Sequence, residues 1–253
     1  SKGLTAVIEA LVDAIIGDDP CRHELASQKL YAMTRQAHGG VNQQAIAAIE
    51  NAMLDIKARS LGIPVYDLLG GAVREELPLY WSHCGTYRMT EENAKMMGRP
   101  HLVGLDDLAA LGAEVREQGF KALKTNIFLF GEDPPRHFPG FARGPGWPEL
   151  NADKRLVQAL KQQLGALREG AGQDTGILLD LNFNFKTEGY LQICRSLDDL
   201  GLFWFEIDLY DPEALRHIRD SVTTPIASCE SLFGLRGFKP FLDNYSMDVA
   251  IVD

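Results

Sequence analysis

The sequence predicts an α/β protein: helices over residues 1–76, then a parallel sheet built from strand–helix units, open or closed into a (β/α)8-type barrel. Three observations carry this prediction. The apolar pattern changes from helical spacing to short runs near Leu77. From there, short apolar runs alternate with helical stretches long enough to return the chain for parallel pairing. Four of those runs end in acids, Asp180, Glu206, Glu230 and Asp253, at intervals of 26 (206−180), 24 (230−206) and 23 (253−230) residues.

The elements follow in order. Leu4, Val7, Ile8, Leu11 and Ile15 keep helical spacing, and Gly17-Asp18-Asp19-Pro20 stops that helix. A second helix is expected from His23 to about Ala37. A third is expected from about Asn42 to Ser60, with Ile46, Ile49, Met53, Leu54 and Ile56 mainly on one side. Residues 63–76 read as a connection. The first strand is Pro78–His83, followed by a helix through Leu105, Leu108, Leu111 and Val115. The second strand is Phe120–Phe128, where alternation puts Ala122, Lys124 and Asn126 on one face. Residues 131–150, rich in Pro, Gly and aromatics, read as an ordered loop or lid. Strands then follow at Ile177–Leu181, Leu202–Phe205, Pro225–Cys229 and Met247–Val252, separated by helices. One of these helices opens at Asp211-Pro212-Glu213, an N-cap followed by proline.

With 45% hydrophobic residues the chain can bury a sizeable core. A net charge of −10 disfavours nucleic acid and acidic membrane surfaces as partners. No apolar run reaches the ~18 residues of a membrane span, and the first residues carry no signal-peptide pattern. Cys21, Cys84, Cys194 and Cys229 lack C-x-x-C spacing, which fits free thiols in a reducing cytoplasm.

In a barrel, strand ends converge on one mouth. Each acid alone would serve equally well as a helix cap or a solvated loop residue. Asp180, Glu206 and Glu230 at matched strand ends instead read as one divalent-metal site. All-oxygen ligation suits Mg2+ or Mn2+, and three such charges in one cleft require a cation. Lys124 is then a base of lowered pKa or an electrostatic stabiliser. Asn126 shares its strand, Asn182 points the same way as Asp180, and Asp253 faces the metal from the other side.

These residues resemble the enolase superfamily, in its mandelate racemase and muconate-lactonizing subgroup. Leu61-Gly62-Ile63-Pro64-Val65-Tyr66-Asp67-Leu68-Leu69-Gly70-Gly71 is similar to the passage from that family's capping domain into its barrel. Gly119–Asn126 resembles the Lys-x-Lys strand, with Asn126 in place of the second lysine. Asp180-Leu181-Asn182, Trp204-Phe205-Glu206 and Cys229-Glu230-Ser231 resemble its three metal-ligand motifs.

The resemblance implies residues 1–76 as the helical part of an α+β capping domain and residues 77–253 as a partial catalytic barrel of about six units. It also implies that the chain is truncated at both ends. The family reaction removes the proton α to a carboxylate and holds the enediolate on a metal; the superfamily's Lys or His base with Mg2+ is a stock example of this chemistry. Asp253 matches the Asp of a His-Asp dyad whose histidine lies beyond this chain. The Lys124-x-Asn126 pattern resembles galactonate-dehydratase-type enzymes, which implies a Mg2+-dependent sugar-acid dehydratase. A hydroxy-acid racemase or epimerase, or an inactive barrel fragment, are the alternatives. The implied partners are a small carboxylate substrate and a second copy of the chain in a homo-oligomer. Arg136, His137 and Arg143 would hold the distal end of a polyhydroxy acid, with His137 alternatively the acid that helps a β-hydroxyl leave. His83 would lie near the mouth, and Trp147 would close over the substrate.

Overall fold

The structure is a computed structural model describing residues 2–131, 135–138 and 151–252. The chain forms two compact units, Ser1–Leu77 and Pro78–Asp253. The first unit is helical: α1 (Lys2–Val12), α2 (His23–Thr34), α3 (Gly40–Leu61) and α4 (Val65–Leu68). Leu11, Leu30, Ile46, Ile49 and Met53 form its core. Ile56, expected on the buried side of α3, keeps the helical spacing of Ile49 and Met53 but is exposed, because the core of this unit ends on α3 at Met53. Gly62 closes α3 in the left-handed conformation, its N–H bonding to Ala58 and Arg59. The segment read as a connection contains the short helix α4.

The second unit contains β1 (Tyr80–Trp81), α5 (Glu91–Met96), α6 (Leu105–Glu117), β2 (Ala122–Thr125), β3 (Ile127–Leu129) and β4 (Arg136–Phe138). It continues with α7 (Lys154–Ala171), β5 (Gly176–Asp180), α8 (Thr187–Leu197), β6 (Trp204–Glu206), α9 (Pro212–Arg219), β7 (Ile226–Ser228), α10 (Gly234–Asp243) and β8 (Val249–Ala250). Six strands pair in the order β1-β2-β5-β6-β7-β8. Every pairing in that sheet is parallel. This is the strand–helix repeat of a (β/α)8-type barrel, six strands of which lie in the described residues.

Side-chain alternation decides what each face carries. Leu123, Ile177, Leu179, Phe205 and Ile207 join the core with Leu108, Leu111, Leu160, Leu164 and Leu167 of α6 and α7. The intervening residues, Lys124, Asp180 and Glu206, therefore project from the other face. Asp211 caps α9 as the sequence predicts, accepting from the N–H groups of Glu213 and Ala214.

One strand departs from the prediction. Phe120–Phe128 is not continuous: β2 ends at Thr125, and β3 leaves the sheet to pair antiparallel with β4. Gln163, fully buried on α7, explains the break. Its Oε1 accepts from Phe128 N at 2.9 Å, and its Nε2 donates to Asn126 O at 2.6 Å and Thr125 Oγ1 at 3.1 Å. The side-chain amide supplies the partners that a strand neighbour would otherwise provide. Most of the predicted lid, residues 139–150, lies outside the described residues.

α6 and α7 cross closely through two glycines. A Cβ on Gly170 would overlap the Ala109 carbonyl oxygen, and one on Gly112 would overlap that of Leu167. Gly170→Ala is expected to lower stability by about 1–3 kcal/mol, read as a fall in the urea midpoint. An unchanged midpoint would refute the close crossing.

Candidate active site

The site is assembled from strand ends. β5 and β6 are in register at Asp180↔Glu206, which sets the two acids side by side. Lys124, on the neighbouring strand, reaches across. Its Nζ donates to Glu206 Oε1 at 2.8 Å and Oε2 at 2.9 Å, and lies 3.6 Å from Asp180 Oδ2. All three side chains are buried. The Tyr80 ring lies 5.9 Å from the ammonium, a cation–π distance.

The charges do not balance. Burial raises the Asp180 pKa, with Lys124 and the Asn182 N–H opposing it. Burial also raises Glu206, helped by Asp180 and opposed by Lys124. Burial pulls Lys124 down, but Asp180 and Glu206 outweigh it and hold the ammonium charged. One ammonium against several acids leaves a negative excess. Asp208 shows it most clearly: burial, then Glu230, Asp180 and Glu206, push its carboxyl up to about 8. Sequence reasoning missed Asp208, although it follows Glu206 by two residues and so keeps its strand parity.

Other predicted residues take varied places. Glu230 lies in an exposed turn just past β7, after Cys229 at φ 88°. Its charge is felt at Asp180 and Asp208. Among the described residues no three acid, His or Cys side chains form a ready-made metal cluster. Asn182 sits at φ 50°, and its N–H donates to Asp180 Oδ1 at 2.9 Å. Its side chain turns back to the Asp180 carbonyl at 3.5 Å, so it orients the acid instead of reaching into the cleft. His83 meets Asn126 Oδ1 through Nδ1 at 3.3 Å. Arg136 and His137 lie on β4 and line a cavity of about 650 Å³ with Met89, Thr90, Glu91, His101 and Pro135. Burial lowers the His137 pKa. Arg143, Trp147 and Asp253 lie outside the described residues.

Comparison with known proteins identifies the family. Residues 107–253 match the family model described as enolase C-terminal domain-like. Residues 2–70 match the mandelate racemase / muconate lactonizing enzyme N-terminal domain. The chain belongs to the enolase superfamily, in the mandelate racemase and muconate-lactonizing subgroup.

Among similar proteins, the D-galactonate dehydratase family member ManD of Chromohalobacter salexigens is 29% identical over 242 residues, covering 95% of this chain and 58% of ManD. A D-mannonate dehydratase of Sphingomonas is 27% identical over 248 residues, covering 94% of this chain and 57% of its own length. A crystal structure from Burkholderia xenovorans, of a protein provisionally named an L-alanine-DL-glutamate epimerase, is 48% identical. It superposes with a TM-score of 0.93 over 100% of this chain and 64% of that one. A second structure of that protein is bound to magnesium and fumarate. The chain thus spans less than two thirds of the length of these relatives.

Two outcomes follow from the charge imbalance. Lys124→Met leaves two buried carboxylates without their cation and is expected to cost about 3–5 kcal/mol at neutral pH in chelator, read by urea unfolding. The Asp208 pKa is raised on folding, from 3.8 to about 8. Its stabilising effect is therefore complete below pH 3.8 and lost as pH rises towards about 8. Asp208→Asn should accordingly gain stability over the parent chain steadily from pH 4 to 8 in chelator; a pH-independent difference would contradict the shift.

Proposed function

We propose that the Lys124–Asp180–Glu206 rim belongs to a Mg2+-dependent sugar-acid dehydratase. The observation carrying this reading is the pair of buried strand-end carboxylates whose charge Lys124 does not balance. The donor set fits the metal: Asp180 and Glu206 offer hard oxygens, and Glu230 lies close enough for its charge to be felt there. Asp180, Glu206 and Glu230 would hold Mg2+, which when bound would supply Lewis-acid stabilisation of charge developing on the substrate carboxylate.

The chain's own residues have distinct tasks. Lys124, held cationic between the acids, stabilises negative charge at the substrate instead of abstracting a proton. The Asn126 amide binds a substrate oxygen and cannot act as a base. Asp253 is proposed as the partner of a histidine base. Loss of the α-proton and of the β-hydroxyl as water yields an enol, which becomes the 2-keto-3-deoxy acid. Arg136 and His137 are proposed to receive the polyol tail.

The names of the dehydratase relatives support this chemistry, and the magnesium- and fumarate-bound relative supports a metal-plus-carboxylate site. The 48% identical protein named as an epimerase favours a second reading, α-proton exchange without elimination.

The test incubates full-length protein and Mg2+ with aldonates and aldarates. Formation of 2-keto-3-deoxy acid is expected, together with loss on chelation. Solvent deuterium entering the α-position without elimination would favour the epimerase, and neither outcome would refute both. Glu206→Gln should lower kcat about a hundredfold or more while leaving the circular dichroism spectrum unchanged.

A further inference from the structure

The Asn126 side chain is only 1% exposed, yet its two ends are treated differently. Oδ1 accepts from Thr86 Oγ1 at 2.5 Å and faces His83 Nδ1 at 3.3 Å. Nδ2 is buried and has no partner among the described residues. A buried unpaired donor is costly, so the amide is held ready for an acceptor that the described residues do not provide.

The anchor itself is well built. Thr86, buried, sits one residue after Gly85, whose φ of +88° makes the turn and whose missing Cβ leaves room for Leu102, Leu111 and Phe128. Cys84 N donates to Lys124 O at 2.8 Å, which ties this turn to β2. Gln163 holds the Asn126 carbonyl at 2.6 Å, so the residue's backbone is pinned as well. The amide is thus fixed at its backbone and at one end of its side chain.

We infer that Thr86 is a specificity-determining positioning residue. By engaging Oδ1 it turns Asn126 into a donor-only contact that selects an oxygen acceptor on the ligand, a carboxylate or hydroxyl oxygen. A ligand group bringing only donors, such as an ammonium, would leave Nδ2 unpaired. This rests on the reading of the rim as an acid-binding centre.

The test uses full-length, Mg2+-loaded protein labelled with 15N-asparagine, with fumarate as the probe. The Asn126 side-chain amide signals are identified by their loss in Asn126→Asp. Fumarate is expected to move these signals downfield in the parent protein and in Thr86→Ser, which keeps the hydroxyl. Thr86→Val should bind fumarate about tenfold more weakly, with its Asn126 signals displaced before ligand is added because the amide is free to turn over. Fumarate binding that leaves the Asn126 signals unmoved overturns the inference, and this arm needs no variant. Equal affinity in the parent protein, Thr86→Ser and Thr86→Val overturns it too; in both cases the acid-binding reading stands. No binding of fumarate by the parent protein, with no 2-keto-3-deoxy acid formed from any sugar acid, overturns that reading and the inference together.

Discussion

The site depends on one interaction, the Lys124 ammonium seated against Glu206 and beside Asp180. Strand register brings the two acids together, and side-chain alternation turns all three groups to the face opposite the helices. Burying two carboxylates is expensive without a cation. Lys124 meets part of that demand, while Asp208, raised first by its own burial and then by Glu230, Asp180 and Glu206, adds another acid beside them. A site with surplus buried negative charge is prepared for another cation, which connects the fold's energetics to the proposed chemistry.

A second constraint shapes the mouth. The sheet ends at Thr125 because Gln163 offers side-chain partners where the ladder stops. That substitution lets β3 turn away into its hairpin with β4 while Asn126 stays beside the β1 turn. Thr86 and His83 then meet Asn126 from that turn. Residues far apart in the chain thus converge on one amide. Two of them, Gln163 and Thr86, look ordinary in sequence: a polar residue on an otherwise apolar helix stripe, and a threonine after glycine.

Much of the architecture was legible from periodicity. The six strands, the helices between them and the Asp211 cap follow from apolar spacing and cap chemistry, which act over a few residues. Asp180, Glu206 and Lys124 could be placed on a shared rim because strand alternation and repeat length survive in the sequence. Asp208 was open to the same parity argument. The break after Thr125 was not legible, because Phe120–Phe128 reads locally as uninterrupted strand and only a side chain from α7 interrupts it. Nor was the turn of the Asn182 side chain back to the Asp180 carbonyl, which depends on a left-handed backbone at that residue.

By itself, then, the sequence determined the order of elements, the face on which Asp180 and Glu206 lie and the chain's net negative charge, because these are set by local spacing and composition. Tertiary structure alone decided that Lys124 pairs with Glu206, that Glu230 stands in an exposed turn and that Asn126 is anchored at one end. Those outcomes rest on contacts between residues such as Lys124 and Glu206, brought together only by strand pairing and helix packing, and no local pattern encodes their distances.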